Sequence, residues 1–364
     1  MTAPADRPSG SDRRARYDGL DLFRPVSIFG VVLIHFSLGW RFPSTPAFDV
    51  LLRARDCAFP IILMTSFFVL TRTVVAHSDR SFGLFAAGRF RRLVVPCLIW
   101  SGLYWLMWEV VGPLWSGGHA SWPPPTLVLS GFSHLWFLQF LFAGSVIAYP
   151  AIRAVARRPR LTWGAAAACV AAAVAYWAWG RPLLSAHVRC DWVDQANPSL
   201  RVALIQSVTY AQYTVLGVAV GLVADVINTA YRRRAFRAAT LVLAAAAFVV
   251  HVSSAAPVVS RAVYTVAVFV VLLRPWPPGI LDWLRPAATC SYPVYIIHPA
   301  LAQVVLLAFA CWQVGPSLPG LLAGSIGVFA LSGAAAALLR MLVPADWFLP
   351  LVAVGKRRPG AEMR

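Results

Sequence analysis

An arginine and a histidine stand inside one apolar run, Leu20 to Ser37, which reads "LDLFRPVSIFGVVLIHFS". Arg24 and His35 are eleven positions apart. At about 100° per residue that spacing returns to within ~20° of the same helix face, with a rise of roughly 16 Å. An imidazole with an ordinary pKa of about 6.5 can act as a base or as a nucleophile. An ionisable group within a hydrocarbon layer is costly and faces a bundle interior or a wet cavity. Plainer roles exist beside the chemical ones: Arg24 as an anchor snorkelling to headgroups, and His35 as a neutral histidine bonded to a neighbouring helix. Asp21, three residues before Arg24, is placed to pair with it and orient the guanidinium. Pro25 suits a first helical position and pushes Arg24 toward extended backbone.

A second group follows in "AAGRFRRLVVPCLIW". Arg89 and Arg92 share one helix face, where two guanidinium groups can clamp phosphates or a carboxylate through forked hydrogen bonds. Anchoring of a cytoplasmic helix end would explain the same residues. Arg91 points about 100° away, toward lipid headgroups. Pro96 removes the bond to the carbonyl of Arg92, so the helix is expected to open locally there. His134 begins a later run at the outer surface, where it caps a helix or meets an acceptor, the cap being preferred. His298 lies beside Pro299 with Tyr295 one turn earlier on the same side. Packing within the bundle is its preferred role and a second catalytic histidine the sharper alternative. Glu109 is an acid well inside an apolar run, able to orient His35 or to pair with an outer arginine. Trp100, Trp105, Trp108, Trp115 and Trp122 form an expected interfacial belt, with sugar stacking open to the last two.

The elements that must hold these residues follow from composition. With 364 residues, 59% hydrophobic and 13% charged, the chain cannot cover a soluble globule of its size with polar groups. An all-α integral membrane protein is expected, with about ten transmembrane helices at 25–40, 57–71, 93–112, 134–152, 161–180, 202–223, 238–254, 261–274, 288–311 and 321–342. With the N-terminus cytoplasmic, 25 of the 32 Lys and Arg fall on inside segments; Arg41, Arg53, Arg55, Arg181, Arg189, Arg201 and Arg261 fall outside. This asymmetry predicts that both termini are cytoplasmic. The net charge of +18 is therefore a topology and lipid-headgroup signal, and no basic stretch is long enough for a nucleic-acid-binding domain. Residues 1–19 read as a disordered cytoplasmic tail without a cleavable signal, 20–345 as one polytopic domain, and 346–364 as a basic cytoplasmic tail. Cys57, Cys97, Cys169, Cys290 and Cys311 sit in or beside apolar runs and Cys190 in an outside loop, so neither a disulfide framework nor a metal site is expected. The stretches 112–132 and 181–200 are expected to be acceptor-facing surfaces rather than helices. The tracts "GAAAACVAAAVA" and "LSGAAAALL" are expected to let helices pack closely.

The ordered set "LDLFR" followed by ten residues and His35, Arg89-x-x-Arg92 before a proline, "HLWFL" at 134–138 and "SYPVYIIHP" at 291–299 resembles the integral-membrane acyltransferase-3 family, over about residues 17–345. The resemblance implies transfer of an acyl group from cytoplasmic acyl-CoA to a hydroxyl on an extracytoplasmic acceptor, often a surface or secreted polysaccharide. Arg24 and His35 match the family's Arg-x10-His pair, and Arg89 with Arg92 its Arg-x-x-Arg pair. Two departures stand out: Ser66 is followed by Phe67 where a Ser-Gly step is common, and Arg24 by Pro25 where glycine is common.

The chemistry agrees with that implication. Acyl transfer from a thioester needs a base or nucleophile, which His35 supplies, and phosphate recognition for CoA, which the arginine pair supplies. An extended pantetheine arm can bridge the two ends of the path. The expected enzyme is an O-acetyltransferase of the inner membrane using acetyl-CoA, with no bound cofactor or metal, acting on an exopolysaccharide or its lipid-linked repeat unit. A secondary metabolite is the alternative acceptor. A transporter of lipid-linked saccharide is the competing class, disfavoured because residues 17–180 and 181–345 show no internal similarity.

Overall fold

The computed structural model describes residues 17–40, 42–43, 45–111, 133–188, 198–254, 257–276 and 278–342, and among them contains helices and no strand. In chain order the helices are α1 Asp18–Gly39, α2 Pro46–Arg55, α3 Ala58–Ala76, α4 Phe82–Arg89, α5 Val95–Trp105, α6 Trp136–Ala156, α7 Thr162–Ala175, α8 Arg181–Val188, α9 Pro198–Leu222, α10 Ala224–Ala230, α11 Arg234–Ser253, α12 Pro257–Leu272, α13 Pro278–Cys311 and α14 Leu318–Leu342. By length and composition, eight stretches of the described residues can cross a membrane. The apolar runs expected at 93–112 and 261–274 are helical too, the first interrupted along its length and the second short, its apolar part being Val259–Leu272. The protein is an all-α membrane protein.

α1 lies at the centre, packed against α13, α14 and α3. The membrane-crossing parts of α1 and of α2–α3 are 56% and 61% buried, against 11% for the stretch containing α7, so Arg24 and His35 ride on one of the innermost helices. α1 and α3 run antiparallel. The ring of Tyr17 meets Phe68 edge-on at 4.6 Å, while Gly30 lies against Arg55 and Ala58. The C-terminal half of α1 therefore shares a level with the start of α3.

α1 begins at Asp18, so Pro25 lies inside it and Arg24 is helical, not extended as the proline suggested. Leu20 and Leu22 are buried and Tyr17 is fixed on Phe68, which holds the preceding turns in place. One lost backbone bond is tolerated where neighbouring helices supply the order. The stretch 181–200 is likewise helical at 181–188, because α8 continues directly from the helix before it, and α9 starts at Pro198. Residues 112–132 and 189–197, with Trp115, Trp122 and Cys190, lie outside the described residues, as do the tails 1–16 and 343–364.

Three π-helical turns interrupt the helices, at Phe90–Val94, Leu106–Val111 and Tyr176–Gly180. Each ends two residues before a proline: Pro96, Pro113 and Pro182. Proline has no N–H for the carbonyl four residues earlier, and its ring crowds that carbonyl. For Pro96 and Pro182 the carbonyls concerned belong to Arg92 and Ala178, each inside a π turn. A wider turn relieves the crowding.

Close helix approach comes from glycines that the Ser66-Phe67 departure did not reveal. A side chain at Gly217 of α9 would strike the backbone of Met64 in α3, and one at Gly221 would strike Thr71. Phe67 itself is buried and fills the space over Gly144 of α6. The glycine missing from α3 is thus replaced by glycines on the helices facing it. The small-residue tract of α7 does less than expected: only Ala166 and Ala173, two turns apart on one face, are buried, while Val170 and Val174 point outward. In α14, Ser332 and Ala336 are buried as packing residues.

Candidate active site

Three histidines from distant parts of the chain meet beside α1. His35 comes from its C-terminal half, His298 from the middle of α13, and His134 from the 3-10 turn Ser133–Leu135 that precedes α6. The ring centroids of His35 and His298 are 5.2 Å apart, those of His134 and His298 5.4 Å, and those of His35 and His134 6.1 Å. His298 and His134 are buried, at 0% and 5% exposure, while His35 is half-buried and so is the least enclosed member of the cluster.

His134 does not cap α6 at the surface, as was preferred from the sequence. The start of α6 carries no side-chain cap, and the 3-10 turn folds inward because Leu135, Trp136 and Phe137 are buried behind it. Tyr295 fixes it there by donating its hydroxyl to the His134 carbonyl at 2.5 Å. His298 likewise belongs to the cluster rather than to packing alone.

Pro299 explains how His298 is oriented. Without an N–H at position 299 the carbonyl of Tyr295 lacks its helical donor, and His298 Nδ1 takes that place at 2.8 Å. A carbonyl only accepts, so Nδ1 carries the proton, and in the neutral ring Nε2 holds the free lone pair. Nε2 of His298 and Nε2 of His134 are both buried without a hydrogen-bond partner among the described residues. Such orphaned atoms are rare in folded proteins and mark places where something else is to be bound or moved. Tyr104, which sequence reasoning missed, donates its hydroxyl to the carbonyl of Ile296 and sets its ring 5.4 Å from His134, tying α5 to α13. The signal for it in sequence was only a tyrosine in an apolar run.

Arg24 stands at the other end of α1, paired with Asp21 at 3.4 Å, with side chains 45% and 29% exposed. Arg89 closes α4, half-buried with its guanidinium 5.7 Å from the centroid of the Phe85 ring. Arg92 is exposed in the π turn that follows. The positive charges acting on Arg89 are those of Arg92 and of Arg80, a third arginine the spacing argument did not include. Arg80 is held by the turn between α3 and α4: Tyr149 donates to its carbonyl, Arg153 donates to the carbonyl of Ser78 at 2.8 Å, and its own guanidinium reaches the carbonyl of Leu84 at 3.4 Å. The antiparallel pairing of α1 and α3 places this arginine group at the end of the bundle opposite the histidines. Glu109 lies half-buried in the π turn Leu106–Val111, beyond Tyr104. The charge that reaches His35 is that of Arg55, at the end of α2. Among the described residues no group of three or more His, Cys, Asp or Glu is arranged to hold a metal ion.

A buried set of imidazoles with one accessible member, and a separate arginine cluster across the bundle, suit transfer of a group from a phosphate-bearing donor. Residues 17–337 match the acyltransferase-3 family model, described as an acyltransferase domain. The chain belongs to that family and is a multi-pass membrane acyltransferase. No curated protein and no solved structure matches it.

Proposed function

We propose that the protein is an inner-membrane O-acetyltransferase that takes the acetyl group of cytoplasmic acetyl-CoA and passes it to a sugar hydroxyl of an exopolysaccharide or its lipid-linked repeat unit. The observation that carries this reading is the accessibility of His35 within an otherwise buried imidazole cluster, at the opposite end of the bundle from Arg80, Arg89 and Arg92. The arginines take the CoA phosphates as planar forks. Arg24, with Asp21 orienting it, stands at the N-terminal end of α1, away from His35.

His35 accepts the proton of the acceptor hydroxyl as the hydroxyl oxygen bonds to the thioester carbonyl carbon. When the tetrahedral intermediate collapses the carbon–sulfur bond breaks, and the imidazolium returns its proton to the CoA sulfur. His298, its lone pair fixed on Nε2, and His134 stand beside His35 and set the polarity in which its proton moves.

The test is His35→Ala in the full chain, purified in detergent. Release of CoA thiol and formation of acetyl ester should both fall by 10²-fold or more, with an unaltered elution profile. Wild-type turnover in that variant would overturn the assignment.

A further inference from the structure

A second polar centre lies where the end of α2 meets α11 and α12, level with Gly30 in α1. The carboxylate of Asp56 is shared by Arg55 at 3.5 Å, Arg261 at 3.3 Å and His251 Nε2 at 3.4 Å. Nδ1 of His251 is bonded to Ser260 at 2.9 Å. Arg53 spends its guanidinium on the carbonyls of His251 and Ser254, 3.0 Å each, and so closes the C-terminal end of α11. Among the described residues Arg55 and Arg261 therefore divide the single carboxylate of Asp56, which leaves positive charge over. Their side chains are only 22% and 24% exposed, and Nε of each is buried without a hydrogen-bond partner among the described residues.

A surplus cation held partly out of water is costly unless an anion joins it. An anchoring arginine keeps its head free to reach the headgroups. Arg55 is pinned instead: its stem passes over Gly30 of α1, and its charge reaches His35. The donor's phosphates already have the arginines of the opposite end, so the anion that belongs here arrives with the other substrate.

We propose that Arg55 and Arg261 form an anion-binding subsite beside His35 that takes an oxyanion, carboxylate or phosphate, carried by the acceptor. The word acceptor rests on the acyltransferase reading; the site itself does not. It selects acidic acceptors and holds their reacting hydroxyl against the imidazole.

Thermal-shift titration of the full chain in detergent tests it with three probes: methyl β-glucuronide for a sugar carboxylate, farnesyl diphosphate for a lipid-linked phosphate, and methyl β-glucoside as the neutral control. At least one anionic probe should stabilise the wild type and the glucoside should not. Arg55→Gln and Arg261→Gln should each weaken that response about tenfold or more, Arg55→Lys should keep part of it, and Arg89→Gln should keep the glucuronide response. A response to the glucuronide alone identifies an acidic sugar, and one to the diphosphate alone a lipid-linked acceptor. Equal responses to all three probes, or responses untouched in the two glutamine variants, would overturn the subsite. Should Arg55→Gln elute as an aggregate, Arg261→Gln decides alone. CoA-thiol release from acetyl-CoA is read in parallel. Its absence in a wild type that still binds anions counts against the acyltransferase reading only, and its presence without anion selectivity counts against the subsite only.

Discussion

Pro299 governs the chemistry of its neighbour without touching a substrate. Restoring an N–H at that position, in Pro299→Ala, gives the Tyr295 carbonyl its helical donor and displaces Nδ1 of His298, now bonded there at 2.8 Å. The ring is then free to rotate and to exchange tautomers. Turnover should fall on the order of tenfold, while the thermal midpoint stays level or rises because the helix regains a bond. A fall in both would assign His298 to packing. At this scale the sequence spoke clearly about single helices and not about pairs of them. The eleven-residue spacing placed Arg24 and His35 along α1, and Asp21 three residues away does pair with Arg24. Nothing local reveals that His134 and His298 converge on His35, because that depends on which helices meet. Arg55 was legible only as one outside arginine among several; its approach to His35 follows from the crossing of α1 and α3 at Gly30.

Among the elements, the π turn Phe90–Val94 links Arg89 and Arg92 to a proline. Arg89 closes α4 and Arg92 stands in the turn, so their angular separation is set by the widened backbone rather than by an α-helical spacing. Arg89→Ala and Arg92→Ala should each raise the KM for acetyl-CoA about tenfold and leave the acceptor KM nearly unchanged, with lysine restoring only part because it lacks the planar fork. Pro96→Ala, which lets a regular helix close, should reproduce the donor defect without removing a charge. Steady-state kinetics with each substrate varied in turn separates these outcomes. Effects confined to the acceptor KM would reverse the assignment of the two ends. The opening before Pro96 was readable from one proline and its missing N–H. The position of Pro25 was not, because the packing of Tyr17 and Leu20 that holds α1 beyond it lies outside any local rule. The helical stretch at 181–188 was missed for a similar reason: 181–200 read as a surface rather than a helix, yet the π turn before Pro182 lets the helix pass.

For the whole molecule, charge asymmetry and the antiparallel core lead to a statement about sides. Arg80, Arg89 and Arg92 belong to the segments expected in the cytoplasm, and His35 with Arg55 to the opposite half. In sealed vesicles of known orientation, acetyl-CoA on the cytoplasmic face should acetylate an acceptor confined to the other face. Product formed only when both substrates share the cytoplasmic side would defeat transfer across the bilayer. The central place of α1 also has a consequence in time. α1 meets α3 early, yet α13, its most extensive neighbour, and α14 are encoded only from residue 278 onward. At roughly 5–20 residues per second that interval is on the order of 10–50 s. Throughout it the helix bearing Arg24 and His35 has α3 beside it but leaves its α13 and α14 faces to lipid or the insertion machinery, so chains halted before α13 should become substrates for membrane quality control.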